Sequence, residues 1–295
     1  MSHPPRSLST PATCLVCSAL ATPLGEKSGF HLHRCPDCGF LFVHPLPESP
    51  LEIYSEDYFA GAGGGHGYVD YDRDKQAMIP AFERYLELIE QAYGKKGRML
   101  DIGAATGFFL DIARKRGWET AGVEPSDHAA AMGRAKGIDV RTGTLDALEA
   151  PDHSFDVITM WDVIEHVPEP RETLRQVRRL LRPGGIVAIN TPDADSLWAR
   201  VMGMRWHLIV PPEHLHLFGS GSLRRLLSDT DFECLLTSKI GKTFTVQYVF
   251  HTLAHWQKLS IWKALAEHFM KNPMGRIGLP INLRDNVFLL ARSHD

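Results

Sequence analysis

The alternation of short apolar runs with amphipathic segments constrains this chain more than any other feature of its sequence. Between residues 98 and 190, apolar runs such as 98–103 and 154–162 have the length and composition of buried strands. Segments with helical spacing separate the runs, and Gly117 and Gly137 end two of these segments. Strands that alternate with helices of about 10–15 residues form βαβ units. The sequence therefore predicts an α/β fold with a mostly parallel, doubly wound sheet.

This pattern assigns an element to most of the chain after residue 69. Strands are predicted at 98–103, 120–124, 138–140, 154–162, 186–190, 232–240 and 286–293. Helices are predicted at 70–93, 108–117, 127–137, 171–185 and 221–232. Residues 241–285 lie between the last two strands and are predicted to be an insertion that carries one long aromatic helix.

The composition excludes several classes of protein. With 295 residues, 44% hydrophobic and 23% charged, the chain has ordinary globular usage, which excludes disorder of the whole chain. It lacks an uninterrupted apolar run of 18 residues, so a transmembrane helix is not expected. The polar, proline-rich start resembles no signal peptide, and we therefore expect a cytoplasmic protein. Its oligomeric state stays open at this stage.

Four of the five cysteines have the spacing of a metal site. Cys14 and Cys17 form one C-x-x-C pair, Cys35 and Cys38 form the other, and 17 residues separate the pairs. Two such turns present four sulfurs to a tetrahedral ion, which predicts a structural zinc site with a full ligand shell. Two redox pairs, or free thiols in a loop, are the alternatives.

These features divide the chain into four parts. Residues 1–12 are predicted to be a flexible tail, and residues 13–45 a zinc-binding module. Residues 46–94 are predicted to be a linker that contains a glycine-rich lid and a helix. Residues 95–295 form the predicted α/β domain.

The most specific motif lies at residues 100–107, where a predicted strand meets a glycine turn. Glu124 ends the next strand, 21 residues after Gly103. A glycine turn and an acid about 20 residues later are typical of a half-sheet that binds adenosine, because the acid accepts from both ribose hydroxyls. Asp101 precedes the turn and would repel the pyrophosphate of NAD. The same carboxylate suits the ammonium and sulfonium groups of S-adenosylmethionine.

The sequence resembles class I S-adenosylmethionine-dependent methyltransferases, in the branch of ubiquinone-biosynthesis and sugar methyltransferases. The resemblance is carried, in order, by LDIGAATGFFL, GVEPS, FDVITMWDVIEHVPEP, LLRPGG and PPEHLHLF. It covers about residues 98–238 and the last strand. A zinc module ahead of such a domain resembles the sugar C-methyltransferases. The resemblance implies a seven-stranded Rossmann-like sheet and methyl transfer from S-adenosylmethionine to a small molecule, with a nucleotide-linked sugar or related metabolite as the expected acceptor.

The resemblance also assigns cofactor contacts. It places Asp101 and Gly103 along the methionine and ribose, and Glu124 on the ribose diol. Tyr71 would close over the methionine end. The complete set of expected cofactor residues is Asp101, Gly103, Ala104, Gly107, Glu124, Pro125, Leu145, Asp146, Trp161, Asp162 and Tyr71.

Two positions depart from the family pattern. Leu145 and Asp146 would flank the adenine, but Thr144 stands where many relatives have an aspartate that reaches the adenine amino group. Ala105 stands where many relatives have glycine. Both departures weaken the expected adenine contacts and leave the cofactor prediction in place.

Several expected cofactor residues also have a structural interpretation. Asp101 could cap the turn, and Glu124 could be a solvated surface acid. Trp161 could belong to the core, and Asp162 could cap a helix. The sequence alone leaves these alternatives open.

Two clusters offer a catalytic base. Glu165 and His166 follow the fourth predicted strand, and Glu213, His214 and His216 follow the fifth. Parallel sheets bind ligands at the carboxyl ends of their strands, which places both clusters near the cofactor. The resemblance to sugar methyltransferases favours Glu213 for binding an acceptor hydroxyl and His214 for taking its proton. His166 and His216 are further candidates, and loop packing is the alternative for each histidine.

Two other functions are considered. An RNA methyltransferase would use the zinc module for RNA, but residues 1–45 carry three basic and two acidic residues, a net charge of +1. The second is a scaffold that binds the cofactor without catalysis. Residues 241–276 are basic and aromatic, so a peripheral membrane contact is one interpretation of them, with a lid or an interface as the other.

Overall fold

A computed structural model of the chain describes residues 12–47, 71–257, 259–281 and 283–294. In chain order its strands are β1 (Ala12–Thr13), β2 (Leu20–Lys27), β3 (Phe30–Arg34), β4 (Leu41–Val43), β5 (Arg98–Ile102), β6 (Glu119–Glu124), β7 (Val140–Thr142), β8 (Phe155–Trp161), β9 (Leu181–Pro192), β10 (His216–Leu217), β11 (Phe232–Ser238), β12 (Lys242–Thr245), β13 (Gly278–Ile281) and β14 (Asn286–Ser293). Its α-helices are α1 (Tyr71–Lys75), α2 (Ile79–Tyr93), α3 (Phe108–Lys115), α4 (Asp127–Ala135), α5 (Pro170–Leu180), α6 (Leu197–Met202), α7 (Ser220–Ser228), α8 (Val246–Gln257) and α9 (Ser260–Lys271). Residues 1–11 of the tail predicted at 1–12, and the predicted lid at 61–67, lie outside the described residues, whereas Ala12 begins β1.

A seven-stranded sheet in the order β11-β14-β9-β8-β5-β6-β7 forms the centre of the fold. The strands from β9 to β7 are parallel, and β14 runs antiparallel to both of its neighbours. The order reverses at β5, because β6 and β7 lie on one side of it and β8 and β9 on the other. This arrangement confirms the predicted doubly wound, mostly parallel Rossmann-like sheet.

Both faces of this sheet are buried, as the apolar runs require. Leu100 and Ile158 point into one core, and Met99 and Val157 point into the other, because successive side chains alternate across a strand. Helices α5 and α7 cover the first face, and α2, α3 and α4 cover the second. The cysteine module packs on the first face, since Cys14, Cys35 and their neighbours belong to its core.

Three predicted helices differ from the structure. The helix expected at 70–93 is divided into α1 and α2 by a 3-10 turn at Gln76–Met78. The helix expected at 171–185 ends at Leu180, and the residues after it belong to β9. Pro183 has no N–H to continue the helix, and Gly184 takes a φ of +72°. The single long helix expected in the insertion is also wrong. The insertion contains α8 and α9, and Phe250 stacks on Trp262 and Phe269 with ring centres 5.9 and 5.1 Å apart. Aromatic side chains of the insertion therefore pack against one another.

A second sheet joins distant parts of the chain in the order β1-β2-β3-β4-β10. His216 of β10 pairs with Phe42 of β4, and Leu217 pairs with Leu41. Strand β10 directly follows residues 213 and 214, two of the predicted acceptor residues. The sheet that begins in the cysteine module is therefore completed by the α/β part of the chain. None of the helices in the described ranges is long and apolar enough to span a bilayer.

A buried carboxylate joins three elements at the edge of the large sheet opposite the site. Asp156, near the start of β8, is 1% exposed and accepts from the Arg98 N–H at 2.8 Å and from Arg182 at 2.6 Å. The hydroxyl of Tyr93 also donates to it. These contacts connect α2, β5 and β9.

We predict that Asp156→Ala lowers the free energy of unfolding by about 1–3 kcal/mol, because it removes the acceptor of three hydrogen bonds, one of them from a charged guanidinium. Urea unfolding at pH 7 measures the loss. Cofactor affinity should be unchanged, since Asp156 is at the amino end of its strand. Asp152→Ala, which breaks an exposed ion pair with Arg179, is the control and should change stability by less than about 0.5 kcal/mol. Equal losses in both variants would contradict this account.

Candidate active site

The turn after β5 requires residues in the left-handed region. Gly103 has a φ of +71°, and a Cβ built on it would lie 2.6 Å from a methyl carbon of Val163. The N–H groups of Gly103 and Ala104 donate to the Val123 carbonyl at 2.9 and 3.0 Å. Gly107, also at +71°, precedes α3. Gly103 is therefore needed at the start of this turn for both its backbone conformation and the space beside Val163. The two hydrogen bonds to the Val123 carbonyl hold the turn after β5 against β6.

Glu124, at the end of β6, is held by this turn. It is 4% exposed, and its two oxygens accept from the N–H of Ala105 at 2.8 Å and of Ser126 at 2.9 Å. Burial raises the pKa of Glu124, and the two N–H groups oppose this shift. Each carboxylate oxygen has a second lone pair, so both can still accept from a ligand hydroxyl. Glu124 is therefore a fixed acceptor and not a solvated surface acid.

Asp101 is the most strongly perturbed acid of the site. It is 2% exposed and accepts from the Thr159 hydroxyl at 2.6 Å. Burial raises the pKa of Asp101 to about 8, and the nearby charge of Glu124 adds to the shift. Near neutral pH its carboxyl group is largely protonated in the free chain. A cation brought next to Asp101 would favour its ionised form.

A pocket opens at the carboxyl ends of β5, β8 and β9. It is lined by Lys75, Met78, Phe82, Tyr85, Asp101, Gly103, Ala104, Phe108, Phe109, Trp161, Asp162 and Asn190. Of the predicted cofactor residues, this pocket brings together Asp101, Gly103, Ala104, Trp161 and Asp162. Aromatic rings and a methionine form most of its apolar wall, with a few polar groups between them. This is the usual composition of a small-molecule site.

Three polar side chains in this pocket form a chain of hydrogen bonds. The Tyr85 hydroxyl donates to Asn190 Oδ1 at 3.1 Å, and Asn190 Nδ2 donates to Asp162 Oδ1 at 2.7 Å. The Trp161 ring packs on the rings of Tyr85 and Phe109, each 4.8 Å away. Sequence reasoning missed Tyr85 and Asn190 as site residues. Asn190 stands near the carboxyl end of β9, which could have indicated it; Tyr85 has the spacing of a core position and offers no separate signal.

Gly107, Glu124, Pro125, Leu145 and Asp146 lie outside the lining of this pocket, although Gly107 belongs to the turn beside it and Glu124 is held by that turn. Leu145 is buried, and Asp146 accepts from Gln176 at 2.5 Å on α5. Pro125 lies between Glu124 and the α4 cap residue Ser126. Tyr71 begins α1, but its side chain lies outside the described residues.

A second group of donors lies beside this pocket. Glu165, His166 and His214 bring one donor atom each to within 4.8 Å of one another. Glu165 is fully buried and accepts from Thr191, the neighbour of Asn190, at 2.8 Å. The loop after β8 and the end of β9 thus connect this group to the pocket. Such a group can accept a proton or hold a cation.

Backbone carbonyls set the tautomer of both histidines. His166 Nδ1 lies 2.7 Å from the Glu213 carbonyl, and His214 Nδ1 lies 2.6 Å from the Leu208 carbonyl. A carbonyl can only accept, so each Nδ1 carries the proton and each Nε2 keeps a lone pair. Burial also lowers the pKa of His166. The two rings are perpendicular, with centres 4.8 Å apart.

His216 and Glu213 have different surroundings from those expected. His216 is fully buried between Phe40 and Phe218, with its Nε2 3.2 Å from the Pro168 carbonyl. Burial lowers the pKa of His216 to about 4. This placement argues for a packing role and against a role as base. Glu213 contributes its backbone carbonyl to the tautomer of His166.

The four cysteine sulfurs converge on one point. All lie within 4.8 Å of one another, with Cys14 3.6 Å from Cys38 and Cys17 3.3 Å from Cys35. These separations are too long for disulfide bonds. Sulfurs about 2.3 Å from a tetrahedral zinc ion lie about 3.8 Å apart, so the cluster fits such an ion. Burial raises the pKa of the Cys14 thiol to about 11, which a bound cation would reverse.

Residues 71–237 match a family described as a methyltransferase domain. The match covers more than half of the chain, and the chain belongs to this family. The resemblance inferred from the motifs is therefore confirmed.

Curated relatives are named Ubiquinone biosynthesis O-methyltransferase. The protein of Cereibacter sphaeroides (strain KD131) is 31% identical over 157 residues, which are 50% of this chain and 58% of the relative. The protein of Vibrio cholerae serotype O1 (Classical Ogawa 395) is 24% identical over 190 residues, 56% of this chain and 78% of the relative. The match therefore spans little more than half the length of the first of these relatives.

Solved structures share the fold. The YcgJ protein of Bacillus subtilis has a TM-score of 0.52 and 17% identity, and the alignment covers 72% of this chain and 99% of that protein. A presumed methyltransferase of Bacillus halodurans C-125 has a TM-score of 0.51 and 13% identity, with 71% and 99% covered. At these identities the likeness concerns the fold alone.

We predict that Asp101→Asn raises the melting temperature of the free chain by a few degrees at pH 7.5. The raised pKa means that folding becomes less favourable as pH rises from about 4 to about 8, and a neutral amide removes this loss. The wild-type melting temperature should fall across that range more than the variant's does. Parallel curves for the two proteins, measured by calorimetry, would contradict the assignment.

We also predict that Ala105→Gly stabilises the chain by about 0.5–1 kcal/mol. Ala105 has a φ of +47°, where a Cβ is unfavourable and glycine is not. Urea unfolding checks the gain. Ala113→Gly, inside α3, is the control and should destabilise instead. A loss of stability in Ala105→Gly would refute the strain assigned to this turn.

Proposed function

We propose that this protein transfers a methyl group from S-adenosylmethionine to a small-molecule acceptor. The observation that carries the proposal is Glu124, a buried carboxylate fixed by two N–H groups beside the glycine turn. Membership of the methyltransferase family supports the same function. When bound, S-adenosylmethionine supplies an electrophilic methyl group and leaves as S-adenosylhomocysteine.

We assign the cofactor contacts to the turn and the pocket. Glu124 would accept hydrogen bonds from the ribose hydroxyls, and Gly103 and Ala104 would allow close approach of the ligand. Asp101 would face the cationic groups, since it lines the pocket. The aromatic wall that includes Trp161 suits a sulfonium, because cations are attracted to ring faces. Leu145 and Asp146 stay the expected adenine contacts.

His214 is the base that we propose for the acceptor. Its Nδ1 is committed to the Leu208 carbonyl, so Nε2 would take the proton from an acceptor hydroxyl or acidic carbon. The acceptor oxygen or carbon would then form a bond to the methyl group as the bond between the methyl group and the sulfur breaks. The proton on His214 would leave later to solvent. His166 holds a second Nε2 lone pair beside it and is the second candidate. Glu213 remains a candidate for binding the acceptor.

The acceptor is proposed to be a small metabolite. The relatives named for ubiquinone biosynthesis support this class, and so does the apolar, aromatic wall of the pocket. A nucleotide-linked sugar stays the specific expectation from the resemblance. The +1 charge of residues 1–45 gives little support for RNA.

Zinc is proposed as the ion of the four-cysteine cluster. Four sulfurs complete a tetrahedral shell, so the ion would be structural and would take no part in methyl transfer.

The proposed base predicts a difference between His214 and His166, the two histidines of the group beside the pocket. With radiolabelled S-adenosylmethionine and a panel of nucleotide sugars and hydroxylated aromatic acids, His214→Gln should lower kcat by about 10²–10⁴-fold. Its affinity for S-adenosylmethionine should change by less than about threefold. His166→Gln is expected to have the smaller effect on kcat.

Equal turnover of His214→Gln and wild type would exclude His214 as the base. If wild type binds the cofactor and methylates nothing in the panel, the experiment is repeated with a transfer RNA mixture. Salt-sensitive RNA methylation would contradict the small-molecule proposal.

A further inference from the structure

The segment of residues 206–217, called here the histidine segment, carries His214 without regular structure of its own before β10. Turns at 207–208 and 211–213 and residues without regular structure make up residues 206–215. Its N-terminal part is nevertheless buried, with Trp206 and Ile209 each 2% exposed. A buried irregular segment owes its order to its neighbours, since it has no internal helix or sheet ladder.

One of these neighbours is the cysteine module. The Val43 N–H donates to the Leu215 carbonyl at 2.9 Å, and the β4–β10 ladder continues from there through Leu217. At the end of β2, which β3 separates from β4, Lys27 donates to the Trp206 carbonyl at 3.1 Å. The module thus bonds to the backbone of the histidine segment at both of its ends.

The two parts also share a core. Leu32 of β3 and Leu41 of β4 belong to the same buried cluster as Trp206, Ile209 and Leu217. This cluster is separate from the two cores of the large sheet. The apolar surface that these five residues share is therefore buried only while the module and the histidine segment stay together.

The four-cysteine cluster lies next to β4, the strand of the module that makes this contact. In the second cysteine turn, the Cys35 N–H donates to the Phe40 carbonyl at 2.9 Å, directly before β4. Phe40 is fully buried and packs on Phe218, with ring centres 4.9 Å apart. A small module of short strands depends on its metal for order. Loss of the metal would therefore release β4 and its hold on β10.

The opposite side of the segment is held by the large domain. The N–H groups of Leu215 and His216 donate to the Glu165 carbonyl at 2.9 and 3.0 Å. We propose that the cysteine module is a positioning element for the acceptor side: its metal keeps the histidine segment in place and thereby fixes His214. This inference rests on the proposed function for the role of His214. It assigns the cofactor half of the site, at β5 and β6, to the large sheet and the helices packed on it, without the cysteine module.

The test uses the full chain and does not require the acceptor. Bound zinc is measured by mass spectrometry and then removed with a thiol-reactive mercurial and a chelator. Hydrogen exchange should then increase at least tenfold in residues 206–217 and less than threefold in β5 and β6. The affinity for S-adenosylmethionine, measured by calorimetry, should change less than threefold. Unchanged exchange in the histidine segment would overturn the proposal, as would a chain that binds no metal.

A variant that keeps the cysteines separates the contact from the metal. Leu32→Ala removes a side chain that packs in the same buried cluster as Trp206 and Ile209 of the histidine segment. The variant should keep one zinc per chain, while hydrogen exchange rises in residues 206–217. Leu223→Ala is the matched control, because Leu223 is equally buried but lies in α7, in the core of the large sheet. Local exchange in the histidine segment that is the same in both variants would overturn the proposal.

The two proposals fail in different ways. If the metal-loaded chain does not bind S-adenosylmethionine, the proposed function fails, whatever the exchange shows. If the cofactor binds and the histidine segment does not respond to metal removal or to Leu32→Ala, only the positioning role fails.

Discussion

The contact between the turn after β5 and the carboxylate at the end of β6 is the interaction on which the proposed cofactor half of this site depends. Gly103 takes a left-handed conformation, and no side chain would fit there beside Val163. The turn then aims the Ala105 N–H at Glu124, which is fixed before any ligand arrives. A pre-positioned acceptor loses no conformational freedom on binding, so its hydrogen bonds contribute more fully to affinity.

The two acids of the site, Glu124 and Asp101, have different electrostatic surroundings. Glu124 receives N–H groups that partly offset its burial, whereas Asp101 has mainly the Thr159 hydroxyl. Asp101 therefore lowers the stability of the free chain at neutral pH, and a cationic ligand relieves this strain. Residues that serve function often lower the stability of the ligand-free protein in this way. The acceptor half uses a different device, since carbonyls select the tautomers of His166 and His214.

Much of this architecture could be predicted from the sequence, because it depends on local patterns. The βαβ alternation predicted the sheet, and the glycine turn with its acid predicted where Glu124 would lie. The pairing of β4 with β10 could not be predicted, since it joins residues 41–43 to residues 216–217 and leaves no periodic signal. For the same reason the sequence left His216 as a further candidate for the base, although its side chain enters the core. The long insertion helix was wrong because its aromatic residues fit equally well a pair of helices packed together.

The central claim, that the turn and Glu124 bind S-adenosylmethionine, is tested most directly by calorimetric titration of the purified chain. We expect micromolar binding of S-adenosylmethionine, no binding of NAD, and loss of the first in Glu124→Ala. Binding of NAD, or equal affinity of wild type and Glu124→Ala for S-adenosylmethionine, would contradict this account.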